Sequence, residues 1–391
     1  MFEKAIIRGA GVDGAVDIGL VAETLLFYRS THLLLDMGSL PALATQLGID
    51  GLLTLLLRPE VTASYCPETP TVLTNTEKGL SQHDFGQMFW HGKDAKTDAR
   101  DQIALSITRL GELDVPNKII TQIVDLLKIH RLPQEFGTVA NSARADCDDA
   151  HYVNMAARTV LETVRPTFAI PSSMRFAVME LDGEFAIDTN LDFAAINRLS
   201  GPFEISGPYI LAHIVGARAD TYFAADYMGE LVTSPANSKL IRLKHFDFIR
   251  RRSKSEEQHD IFENVVLDDA RTVREVVNSK ERSIAEFFRL LDEGAKFRIW
   301  MHTQNPDAQL VREYYDQVNK DTWIGRLPGK TLRLAFFTGA GMLADIFAPT
   351  GLGTVTGIGL GATDSLLLDK LIKGWRPSHF IEGPLKKFVE K

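Results

Sequence analysis

The chain has 391 residues, about twice a usual domain, and 45% apolar against 24% charged residues let it bury ordinary cores, which excludes a disordered chain. Fifty-one acidic against 43 basic side chains leave a net charge of −8, which excludes a surface coated in positive charge for non-specific nucleic-acid binding. Two cysteines, Cys66 and Cys147, exclude a disulfide framework and a four-cysteine zinc site, and with an N-terminus that lacks a long apolar run they point to a reducing cytoplasm.

Taken in chain order, Lys4–Arg8 predicts a short apolar strand that ends in a glycine loop. Val16, Leu20, Val21, Leu25 and Tyr28 recur at helical spacing over 15–28. Thr31–Asp36 is a continuous apolar run of strand length. Ser39 and Pro41 open a helix that Gly48 ends; Asp50 caps a second helix, which Pro59 stops. Glu60–Tyr65 is β-branched and alternating, hence a strand. This β-α-β-α-β order predicts a parallel sheet.

Amphipathic helices are expected over Ala99–Leu110 and Pro116–His130. Asp182-Gly183 between Arg175–Leu181 and Glu184–Thr189 is a two-residue hairpin signal. After Ser206-Gly207-Pro208 the chain reads as helical, with a capping box at Ser283 and Glu286 and a glycine stop at Gly294. The expected architecture is an N-terminal α/β region over 1–205, with a mostly parallel sheet, added helices and a hairpin. An all-helical region over 206–391 follows.

Four constellations carry chemistry. The first is Gly9-Ala10-Gly11-Val12-Asp13-Gly14, a G-x-G-x-x-G between a strand and a helix, with Asp36 closing the next strand. It resembles a Rossmann fingerprint, which implies a dinucleotide of the NAD or FAD type. Gly9, Gly11 and Gly14 would admit the pyrophosphate, and Asp36 would hold a ribose hydroxyl. Asp13 and Asp17 oppose that anion unless a metal or Arg8 intervenes. The plainer reading is a glycine turn before a capped helix.

The second is His91, Lys93 and Asp98, spaced H-x-K-x-x-x-x-D. Over these eight residues the chain resembles the phospholipase D superfamily, which implies a phosphodiesterase whose histidine attacks phosphorus while the lysine neutralises phosphate oxygens. A second matching half is missing, since His213 has Asp220 but Val215 where lysine should stand. Asp98 also suits a helix N-cap.

The third group joins two charged segments. Cys147 and His151, four apart in an acidic run, would share a helix face as metal ligands, although a capped helix start explains Asp146, Asp148 and Asp149. Arg242, Lys244, Arg250, Arg251 and Arg252 form a basic stretch. It reads as a solvated helix face or as a patch for phosphate, acidic lipid or nucleic acid.

The fourth is the apolar segment 334–368, whose only charges are Asp345 and Asp364. Gly353, Gly357 and Gly361 fall four apart, a ridge for close helix contact in a buried pair, an oligomer interface or a membrane. The function expected from the sequence is therefore assembly, as a homo-oligomer or with a protein partner, through the helical C-terminal half and near a membrane. The alternatives are a dinucleotide-binding enzyme or sensor and a phosphodiesterase.

Overall fold

The computed structural model describes residues 4–8, 16–77, 80–89, 99–110, 115–132, 136–181, 183–199, 201, 204–227, 230–234, 236–241, 243–244, 273–302 and 380–389. The opening elements are β1 (Lys4–Arg8), α1 (Ile18–Phe27), β2 (Ser30–Leu35), α2 (Ser39–Leu56) and β3 (Val61–Tyr65). They are the strands and helices expected from the apolar periods. Gly48 interrupts α2 with φ +69° and ψ 164°, a conformation nearly confined to glycine, so the two expected helices meet at a kink. A ten-residue hairpin follows, β4 (Glu68–Glu77) with β5 (Leu80–Phe89). Next come α3 (Ala99–Leu105), widened into a last turn at Ser106–Leu110, and α4 (Asn117–Leu126).

The helix expected over Pro116–His130 stops short. Lys128 and Ile129 instead form β6, paired with Ser64 and Tyr65. Then come α5 (Phe136–Cys147), α6 (Ala150–Val164), β7 (Phe176–Leu181), β8 (Glu184–Thr189) and α7 (Phe193–Asn197). Leu181 faces Glu184 across the expected two-residue turn, with Gly183 at φ +84°. Beyond residue 205 the described chain is mostly helical. It contains α8 (Gly207–Tyr227), one short strand β9 (Glu230–Val232), the helical stretch 236–241, and then α9 (Val273–Asn278), α10 (Ile284–Glu293), α11 (Ala295–His302) and α12 (Lys386–Val389). Ser283 and Glu286 make the capping box at the start of α10.

The parallel sheet has the order β6-β3-β2-β1-β9, and a second, antiparallel sheet has the order β4-β5-β8-β7. Alternate strand residues enter two cores. Ile7, Leu33, Leu35 and Tyr65 pack with α1, α2, α4, α9 and α10, whereas Leu34 and Cys66 join α5, α6, α8 and the second sheet. The parallel sheet is thus covered on both faces, which explains why β1 and β2 read as apolar runs. Among the described helices, α2 is apolar and long enough to cross a membrane, yet Leu40, Leu43, Ala44, Leu52 and Leu55 are buried in the core. Each such leucine contributes roughly 2 kcal/mol by leaving water. That makes α2 a core helix.

Candidate functional site

Strand order selects the place to look. From β1 the chain winds outward through β2, β3 and β6, and β9 then inserts on the other side of β1. Winding therefore reverses between β1 and β9. In open parallel sheets, ligands bind outside the carboxyl ends of the strands at such a reversal. The residues at these ends are Arg8 of β1, Asp36 after β2, and Thr233 and Ser234 after β9.

Arg8 stands in an otherwise apolar strand and is 7% exposed. Its guanidinium pairs with Asp220 of α8 and donates to the Gly216 carbonyl oxygen at 3.4 Å. Fully buried Asp220 also accepts from the Thr233 hydroxyl and, at 2.8 Å, from the Asn237 side-chain amide. With its nitrogen committed to the carboxylate, Asn237 turns its oxygen to His213 Nδ1 at 2.9 Å, which assigns the proton to that ring nitrogen. The Ser234 hydroxyl accepts from the Asn237 backbone N–H and starts the stretch 236–241. This chain of bonds ties the last residue before the glycine run to the turn after β9. Arg8 spends its charge on Asp220, so it does not supply the free cation that a diphosphate at the glycine run requires.

Asp36 terminates β2, as expected, and begins α2. Its Oδ1 accepts from the Gly38 N–H at 3.0 Å, the Ser39 N–H at 2.8 Å and the Ser39 hydroxyl at 2.8 Å. A cleft of about 380 Å³ runs along the start of α2, lined by Met37, Gly38, Pro41, Ala42, Thr45 and Gln46. Gln46 donates to the Val16 carbonyl at 3.1 Å and so fixes the approach to α1. There Asp17 is the N-cap, accepting from the Leu20 N–H at 2.8 Å.

A second polar group lies under the last turn of α8. The Tyr227 hydroxyl donates to Ser64 Oγ and meets His130 Nδ1, each at 2.9 Å. The His32 ring stacks on Tyr227 with centroids 4.0 Å apart, and its Nδ1 meets Thr62 Oγ1 at 2.8 Å. Burial, then the charges of Lys4, His130 and Lys128, pushes the His32 pKa down to about 4. Ser64 is fully buried, so this cluster fastens α8 to the sheet and offers no open nucleophile.

The remaining sequence candidates separate. Cys147 ends α5, while Asp149 caps α6 by accepting from the Tyr152 N–H, so Cys147 and the exposed His151 lie on two helices. Of that acidic run only Asp149 caps a helix start, whereas Asp146 lies inside α5. Among the described residues, no group of three histidine, cysteine or acidic side chains is placed to hold a metal. Buried Asp146 takes a bidentate pair from Arg218 and an ion pair from Lys244 at 2.9 Å. Lys244 also lies over the Tyr152 ring, which makes it an internal clamp rather than part of a free basic face.

Gly9, Gly11, Gly14, His91, Lys93, Asp98, Arg242, Arg250, Arg251, Arg252, Gly353, Gly357 and Gly361 lie outside the described residues. Sequence reasoning missed the partnership of Arg8, Asp220, Thr233 and Asn237. Its one available signal was an aspartate in the middle of an apolar helix. Comparison of the chain with known protein families, curated proteins and solved structures finds no match to any of them.

Proposed function

We propose that the protein binds a small ligand of the nucleotide type across the carboxyl ends of β9, β1 and β2. One observation carries this reading: the glycine run follows directly on Arg8, beside the point where the winding of the sheet reverses. Asp36 at the neighbouring strand end and the cleft beside it supply a polar anchor and an apolar wall. Arg8, the residue before the run, is itself pinned to α8 through Asp220 and the Gly216 carbonyl. A ligand that binds the folded chain alone raises its stability by about 2.7 kcal/mol at a hundredfold excess over Kd. A thermal-shift panel of nucleosides, nucleotides and dinucleotides at millimolar concentration should therefore contain at least one stabiliser. Gly11→Val should abolish its effect, because a side chain there fills the space beside the ligand. No shift with any member removes the reading.

A second reading, assembly through the C-terminal half near a membrane, is favoured by a different observation. Phe297 of α11 stacks on Phe380, with ring centroids 5.0 Å apart, and Arg282 donates to the backbone carbonyls of Lys387 and Phe388. The described residues on either side of 303–379, the stretch whose sequence carries Gly353, Gly357 and Gly361, therefore pack against one another.

A further inference from the structure

We infer that the outer face of the antiparallel sheet is a docking surface for a basic amphipathic helix of a partner protein. The sheet β4-β5-β8-β7 has two unlike faces. Alternate residues on one of them, Phe85, Phe176 and Phe185 among others, are buried in the core shared with α5, α6 and α8. Strand register sets Leu73, Leu80 and Met179 on the opposite face. On the hairpin, Leu73 pairs with Asp84 and Leu80 with Glu77, one step out of phase with Val72 and Phe85. The pairs His83 with Phe185 and Glu180 with Phe185 carry the same alternation across to Met179. Five large apolar side chains are exposed among the described residues, and these three are among them, each about half open to solvent. A lone exposed leucine needs no explanation, whereas three such residues on one face mark an interaction site. Leu73 is also seated there. It lies across Gly86 of β5, where a β-carbon would collide with its side chain, so the glycine keeps the leucine flat on the sheet.

Charge narrows the choice of partner. Every charged residue that the alternation assigns to this face is acidic: Glu77, Asp84, Glu184 and Asp188. Asp84 pairs with Arg144 of α5, and Asp188 with Arg175 at 2.6 Å. Glu77 and Glu184 make no ion pair with the described residues. In a symmetric contact a second copy would bring the same acids against one another, which like charges disfavour. A partner that carries lysine or arginine beside its apolar side chains meets both features of the face. Spacing selects a helix. Leu73 and Leu80 lie four residues apart along the hairpin, roughly 13 Å, and Met179 stands two strands from Leu80, roughly 10 Å. A helix presents the same side again after seven residues, about 10.5 Å, so a single apolar stripe reaches these points.

Anisotropy titrations of the full chain with two labelled amphipathic peptides test the inference. One peptide has a leucine stripe flanked by lysines; the other has the same stripe flanked by glutamates. The lysine peptide should bind one to one, and at least tenfold more tightly than the glutamate peptide. Leu73→Ser with Met179→Ser should weaken it at least tenfold. Glu77→Lys with Glu184→Lys breaks no ion pair and should reverse the preference between the peptides, a gain that a misfolded chain would not show. Leu57→Ser with Ile299→Ser, at exposed apolar positions after α2 and on α11, should leave binding unchanged. No binding of the lysine peptide, equal affinity for both peptides, or unchanged binding in the sheet variants overturns the inference. An equal loss in the Leu57→Ser, Ile299→Ser variant does the same. So does a parent that size exclusion shows as a dimer and a Leu73→Ser, Met179→Ser variant that it shows as a monomer, because the face then belongs to a second copy.

Discussion

An arginine inside a covered strand persists only because a carboxylate meets it, and the carboxylate persists only because two further donors complete its shell. Asp220→Ala would strand the Arg8 guanidinium and leave Thr233 and Asn237 without their acceptor. Loss of one partner of a buried pair costs about 3–5 kcal/mol, and a urea titration should show a fall of that size. The double replacement Arg8→Met with Asp220→Leu removes both charges and should regain a large part of the loss. If Asp220→Ala unfolds within about 1 kcal/mol of the parent, the pair is not the brace described. The two residues lie 212 positions apart in the chain, so no spacing rule joins them. Charge inside an apolar element was visible; the identity of its partner was not.

Among the elements, α8 shows how a helix with no polar face is held. Its 21 residues lie between the parallel sheet and the antiparallel one, with His213, Asp220 and Tyr227 as internal anchors. The anchor at Tyr227 predicts a pH dependence through His32. The folded protein keeps His32 neutral down to about pH 4, whereas a solvated histidine protonates near 6.5. Protons therefore favour the unfolded chain. The contribution is present in full above pH 6.5 and is lost as pH falls from there towards 4. His32→Phe preserves the stack on Tyr227 and should flatten the pH dependence in that window, by up to about 1.4 kcal/mol per unit. Equal slopes in parent and variant would show that His32 is not the titrating group. Where burial sets the pattern, as in β1, β2, β3 and the two halves of α2, elements were legible from apolar period and caps. The β4–β5 hairpin was not, because Leu73 to Glu77 is exposed throughout and Thr71, Thr74 and Thr76 replace an apolar alternation. At two residues, β6 is too short for any period, and neighbouring strands alone define it. Of the candidate site, Asp36 was legible as the residue that closes β2. The second bond at the start of α1, from the Gly19 N–H to Asn278 Oδ1, comes from far along the chain and left no local mark.

For the whole molecule, the glycines of the C-terminal apolar segment give the assembly reading its test. If Gly353, Gly357 and Gly361 form a contact ridge, Gly357→Leu should overpack it by roughly 1–3 kcal/mol or more. In an assembly, the mass measured by size exclusion should then drop while α1 to α8 keep their melting temperature. Unchanged mass, membrane partitioning and melting point in that variant would remove the assembly reading. The sheet also has a consequence for synthesis. Ala5, Ile6 and Ile7 pair on one flank with Thr31, His32 and Leu33, and on the other with Glu230, Leu231 and Val232. The first flank closes as soon as β2 is made, whereas the second waits for more than half of the chain to leave the ribosome. Until then β1 presents an apolar open edge of the kind that recruits foreign strands. Slow translation ahead of residue 230 therefore lengthens the exposure of that edge, and a chaperone met during synthesis would have β1 as its natural client.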